Sequence, residues 1–163
     1  MVAQSDVERG TWVLLAYRLP REPSTPRIAL WRTLRRLGAV QLLDGLVGLP
    51  CDSRTREQRE WLADDVVGTG GEASIWVAQP GSAMQERALA QRMRAEIAKD
   101  YTAVTEAARV AAELESGSRK RTLARLRREL RRIRRRDYFP APERNEALAA
   151  TDRLATTLEE TAA

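Results

Sequence analysis

Arginine is the side chain with the most chemistry to offer in this sequence. Between Arg119 and Arg136 eleven basic residues stand against the single Glu129, and a guanidinium can hold a phosphate or carboxylate through two parallel hydrogen bonds. Leu123, Leu126, Leu130 and Ile133 recur through the same stretch at steps of three and four, which makes them a narrow apolar stripe along a helix. Arg125, Arg127, Arg128, Arg131, Arg132, Arg134, Arg135 and Arg136 spread around the remaining circumference. Such a surface attracts polyanions, and each contact with a nucleic-acid phosphate would release counterions and make affinity salt-dependent. The alternative is a solvated face whose charges pair with Glu96, Glu106, Glu113 and Glu115. A membrane surface ranks third, because the stripe lacks the Trp or Phe anchors of interfacial helices.

The other candidates for chemistry are poor. The chain has no histidine, which removes the commonest metal ligand and the commonest general base. Cys51 is the one cysteine, so no intramolecular disulfide and no cysteine–histidine zinc site can form. At the end of a strand it reads as a small apolar residue rather than a reactive thiol. Asp64 and Asp65 are adjacent on a helix and point in different directions, as surface charges do. Gly68, Gly70 and Gly71 precede a strand rather than a helix, the wrong context for a phosphate-binding loop. No motif supports an enzyme, and neither metal nor cofactor is expected.

The elements that must position the arginines follow from patterning. The 163 residues are 43% hydrophobic and 31% charged with a formal charge of +5, a composition that folds without staples. The basic and acidic residues cancel over residues 1–80, so the whole excess lies in residues 81–163. No apolar run approaches the ~18 residues of a membrane span and the N-terminal MVAQSDVERG has no signal-like apolar core, so the expected location is cytoplasmic. Thr11 to Leu19 reads as an interior strand. Ser24 or Thr25 caps a helix opened by Pro26, carrying Ile28, Trp31, Leu34 and Leu37 and stopped by Gly38. Residues 39–43 and 46–50 form a hairpin around Asp44 and Gly45. A second helix runs from Ser53, with Trp61, Leu62 and Val66 on its apolar side, and Glu72 to Ala78 is the last strand. The order β, α, β, β, α, β packs most simply as a ferredoxin-like domain, an antiparallel sheet with two helices on one face. Trp12, Trp31, Trp61 and Trp76 are expected to be core.

The second half is helical. Ser82 caps a long helix with Met93, Ile97, Tyr101, Val104, Ala108, Ala111 and Leu114 along one side, and Ser116, Gly117 and Ser118 interrupt it before the arginine-rich helix. The two form an antiparallel hairpin. A C-terminal helix with Leu148, Leu154 and Leu158 begins near Pro142. The class is α+β, with a ferredoxin-like domain in residues 1–80, a linker near Gln79 to Ser82 and a helical region in residues 81–163.

The marks YRLPREP after the first strand, PR..LWR.LRRLGA in the first helix, TREQ.EWLA in the second, GGEA before the last strand and, more loosely, DYFPAPER resemble the N-terminal domain of the chromate-resistance protein ChrB family, in its short form. The resemblance spans most of the chain. It implies a non-enzymatic, chromate-responsive regulator that binds DNA and controls a chromate-efflux operon. Longer members carry a further C-terminal region, and if sensing resides there, this sequence binds DNA without responding to chromate. Chromate is a tetrahedral dianion, which suits convergent guanidinium groups near a helix N-terminus. Arg18 and Arg21, just before the first helix, are the candidate site, and sulfate, of the same shape and charge, is the competing effector. Alternatively these two arginines pair with Glu22 or with carboxylates of the second helix. The fold is also used by a small metal-dependent nuclease of CRISPR adaptation complexes, whose metal is bound by Asp at the end of the first strand. Here that region reads Tyr17, Arg18, Leu19, which argues against such a nuclease. The reading from another class is a protein-interaction module, in which the arginine helix and leucine seam form a homodimer or bind an acidic partner.

Overall fold

The computed structural model describes residues 10–52, 55 and 58–162. Its elements are β1 (Trp12–Arg18), α1 (Thr25–Leu37), β2 (Val40–Leu43), β3 (Leu46–Pro50), α2 (Gln58–Gly68), β4 (Glu72–Ala78), α3 (Ala83–Ala112), α4 (Ser116–Arg135) and α5 (Glu143–Ala162). The sheet order is β2-β3-β1-β4 with every neighbouring pair antiparallel, the ferredoxin-like arrangement expected from the alternation. The expected start of the second helix at Ser53 and the N-terminal residues 1–9 lie outside the described residues. The chain divides between Ala90 and Gln91, within α3, into two compact units, each with its own core.

In the first unit strand pleating sorts side chains between two faces. Leu15 and Val47 are directly paired across β1 and β3 and pack with Leu30 and Leu34 of α1 and Leu62 and Val66 of α2. Pro26 opens α1, and Gly38 closes it with a left-handed φ of 77°, a conformation that glycine adopts without a Cβ penalty. The hairpin turns at Gly45, whose φ is 75°; a Cβ there would stand 2.5 Å from the Tyr17 carbonyl oxygen. The Gly45 carbonyl accepts the Tyr17 N–H at 2.7 Å, so the hairpin is tied to the end of β1. Before α2, the Thr55 hydroxyl donates to the Pro50 carbonyl at 2.9 Å and the Thr55 N–H donates to the Asp52 carboxylate at 3.1 Å.

The aromatic residues depart from expectation. Trp12 is buried, whereas Trp31, Trp61 and Trp76 are 54%, 78% and 60% exposed. For Trp31 and Trp61 the reason lies in a helix surface where only about a third of the circumference meets the sheet. Leu62 and Val66 claim that third of α2, and Trp61, one residue before Leu62, is carried about 100° away by the helical turn.

In the second unit α3, α4 and α5 share one core. Ile97, Tyr101, Val104, Ala108 and Ala111 come from α3, Leu123, Leu126, Leu130 and Ile133 from α4, and Ala147, Ala150 and Leu154 from α5. At the start of α3 the Ser82 hydroxyl accepts the Gln85 N–H at 3.1 Å and the Gln85 side chain accepts the Gly81 N–H at 3.1 Å, a reciprocal cap that leaves fewer orphan donors. Ser116, Gly117 and Ser118 are not an interruption. They form the first turn of α4, whose N-cap is Glu115, and the break falls at Glu113–Glu115. Small polar residues suit a first turn as well as a loop, and sequence alone does not separate the two. Among the described residues no helix is long and apolar enough to cross a membrane.

Candidate nucleic-acid interface

Helix α4 sorts its residues sharply. Leu123, Leu126, Leu130 and Ile133 are buried, and Arg125, Arg127, Arg128, Arg131, Arg132, Arg134 and Arg135 are exposed. At 100° and 1.5 Å per residue, Arg127, Arg128, Arg131 and Arg134 fall on one broad face over about two turns. Arg136 does not belong with them. It is partly buried and holds Asp100 of α3 in an ion pair of 3.0 Å, so its charge is already used within the bundle.

Three of the four carboxylates expected to neutralise the arginines, Glu96, Glu106 and Glu115, have other partners. Glu96 pairs with Lys99 at 2.6 Å, and Glu106 pairs with Arg109 at 2.6 Å, both one turn along α3 itself. The hydrogen bond from Arg109 holds the Glu106 carboxyl below the usual carboxylate range. Glu115 accepts the Ser118 hydroxyl at 3.2 Å. On α4 itself Glu129 lies 3.6 Å from Arg132, a loose and exposed pair. Arg127, Arg128, Arg131 and Arg134 make no salt bridge among the described residues. Arginines four apart on one helix repel by roughly 0.2–0.5 kcal/mol per pair, and α4 holds Arg121/Arg125, Arg127/Arg131, Arg128/Arg132 and Arg131/Arg135 at that spacing. Helix stability does not account for this pattern.

What fixes the end of α4 is a buried polar contact that periodicity did not show. The Tyr101 hydroxyl, fully buried, donates to the Asp137 carboxylate at 2.7 Å, and Asp137 is only 9% exposed. Tyr101 was legible as a seam residue, and its hydroxyl was the missed signal, since a buried phenol needs a partner. Burial foremost, and then the bond to Asp137, push the Tyr101 phenol well above its ordinary value. Beside it stands the Arg136–Asp100 pair, so consecutive residues of α3 grip consecutive residues at the end of α4.

Replacing Tyr101 by Phe is expected to lower stability by about 2 kcal/mol, because Asp137 stays buried without its donor. A phenol whose pKa is raised by folding contributes stability that is fully present below its unfolded value near 10 and is lost as pH rises through the folded value. Chemical denaturation of the two proteins at pH 7 and pH 9 should therefore give the same difference. A difference that had already vanished at pH 9 would contradict the hydrogen bond.

Both arginines of the candidate oxyanion pair are exposed. Arg18 sits across from Glu72 in the β1–β4 register and binds it at 2.7 Å, both side chains well exposed. The partner is thus a carboxylate of the neighbouring strand rather than Glu22 or the second helix. Arg21 is exposed, and its carbonyl, with that of Pro20, accepts the Arg27 guanidinium at 3.0 Å. Cys51 is a partly buried free thiol. Among the described residues no three carboxylate or cysteine side chains gather in a way that could hold a metal ion.

Comparison with known proteins agrees with the sequence marks. The family model described as Protein ChrB, N-terminal, matches residues 27–163. Protein ChrB of Cupriavidus metallidurans is 31% identical over 144 residues, which cover 86% of this chain and 43% of the relative. The chain therefore spans less than half the length of this curated relative. No solved structure matches it.

Proposed function

The chain belongs to the ChrB N-terminal family, and from that premise we propose that it is a non-enzymatic regulator of chromate resistance that binds DNA through α4 and controls a chromate-efflux operon. The observation that carries the reading is the exposed face of Arg127, Arg128, Arg131 and Arg134, held outward by a buried leucine seam and free of salt bridges among the described residues. Phosphate contacts of this kind position a protein on a duplex without reading its sequence, so operator preference comes from other contacts. Chromate is the effector in this reading, and sulfate, of the same shape and charge, is the competing candidate that the test separates from it. An oxyanion held by Arg18 would have to displace Glu72 from it.

The test is a fluorescence-anisotropy titration of a labelled duplex from upstream of the protein's own gene against a scrambled duplex. It is run at several salt concentrations, with chromate and with sulfate as the control anion. Preference for the upstream duplex, weakened by chromate and not by sulfate, is the expected result. Salt-sensitive binding without preference would favour the second reading, in which the same arginine face binds an acidic protein partner or supports a homodimer, and a mass that rises with concentration would mark the latter. Strand cleavage that requires magnesium or manganese and stops with chelator would overturn the non-enzymatic assignment.

A further inference from the structure

A second basic surface lies on α1, in the other compact unit, and it is built differently. The helix holds Arg27, Arg32, Arg35 and Arg36 and no acidic residue. Leu30 and Leu34 take its buried side. Ile28, Trp31, Arg32 and Arg35 stand at i, i+3, i+4 and i+7, one row of a helix, and all four are exposed. Trp31 is 54% exposed and Ile28 47%. The Arg35 guanidinium lies over the Trp31 ring, 4.9 Å from its centroid, within range of a cation–π contact.

The charges on this face are not all equivalent. Arg27 donates to the carbonyls of Pro20 and Arg21, and Arg36 donates to the Thr33 hydroxyl at 3.3 Å. Arg32 and Arg35 have no carboxylate partner among the described residues. The exposed row therefore consists of two available guanidinium groups around an indole that one of them already braces.

We infer that this row is a binding site for single-stranded nucleic acid, in which an unpaired base stacks on Trp31 while neighbouring phosphates meet Arg32 and Arg35. Alternating cations and an aromatic platform is the arrangement that single strands use, since every base has a π-face and every linkage a negative charge. A guanidinium stacked on the indole keeps the ring from rotating away and adds a cation beside the stacked base. An acidic protein surface would use the charges and leave the indole without a counterpart. A lipid surface would need more than two apolar side chains on a helix of thirteen residues. The inference uses no residue of α4 and stands or falls without it.

The experiment uses the full chain and two labelled probes of equal charge, a twelve-nucleotide thymidine oligomer and its abasic counterpart, with Trp31→Ala and Arg35→Gln as variants. Both positions are exposed, and circular dichroism confirms that each variant is folded. The wild type is expected to bind the thymidine oligomer roughly tenfold or more tightly than the abasic strand, the effect of one stacked base. Trp31→Ala should abolish that preference, and Arg35→Gln should weaken binding to both probes. Duplex binding through α4 should be unchanged in Trp31→Ala, so failure of either site is visible without the other. Equal affinity of the wild type for the two strands overturns the inference, as does an undiminished preference in Trp31→Ala. So does the absence of binding at low salt, or a Trp31-dependent association with vesicles of anionic phospholipid in its place.

Discussion

Exchanging Arg127, Arg128, Arg131 and Arg134 for Gln is expected to reduce duplex affinity on the order of a thousandfold at about 0.15 M salt. Each phosphate contact contributes about 0.9 to the slope of log affinity against log salt concentration, so four contacts change that slope by roughly 3.6. The loss is then greatest at low salt and shrinks as salt rises. Glutamine has nearly the helix propensity of arginine and relieves like-charge repulsion along the helix, so α4 should remain folded and the thermal midpoint should hold or rise. The four side chains are exposed and make no salt bridge among the described residues, which removes lost packing as an explanation for lost binding. Anisotropy titrations at four or five salt concentrations give the slope. An unchanged slope would mean that this face of α4 does not touch DNA.

Leu126→Ala tests the other side of the same helix. Leu126 is 1% exposed, in a core with Tyr101 and Ile133, which are fully buried. Truncating a leucine so enclosed removes its transfer free energy and leaves a cavity, a loss of about 3 kcal/mol in well-packed sites. That is a large share of the ~5–15 kcal/mol by which a domain of ordinary stability is held folded. The readout is the helical circular-dichroism signal through a urea titration, where the midpoint should fall without a change of slope. Under native conditions the salt slope of DNA binding should match the wild type, because the arginines are untouched. The two variants are expected to dissociate binding from stability in opposite senses. A Leu126→Ala protein with an unchanged midpoint would mean that the seam does not hold α4 in place.

The seam and the arginine face were both legible in advance because each is a local property. A leucine or isoleucine at every third or fourth position faces one way whatever the helix packs against, and the residues between face elsewhere. The hairpin at Asp44 and Gly45 is local in the same sense, since a tight turn with positive φ favours glycine. The order of strands and helices in the first half, and with it the ferredoxin-like sheet, followed from such short-range patterns and the general rules of layer packing.

Tertiary structure decided the partners. Arg18 meets Glu72 across 54 residues and Tyr101 meets Asp137 across 36, and no spacing rule connects residues so far apart. Glu96 and Glu106 were reasonable counter-ions for α4 as residues of the helix it pairs with in the hairpin, yet each found a cation one turn away on its own helix, where little chain entropy is lost in forming the pair. Asp100, on the side of α3 that meets the end of α4, took Arg136 instead. The tryptophans show the same limit. Hydrophobicity marked all four as core, but a helix offers only one stripe to a sheet, and in α1 and α2 leucine and valine filled it, leaving Trp31 and Trp61 in water. The amino-acid sequence by itself thus determined which elements form and which face of each is apolar. Only the packed chain determined which charges are neutralised and which aromatic rings stay open, because those outcomes depend on distances between segments that local periodicity does not encode.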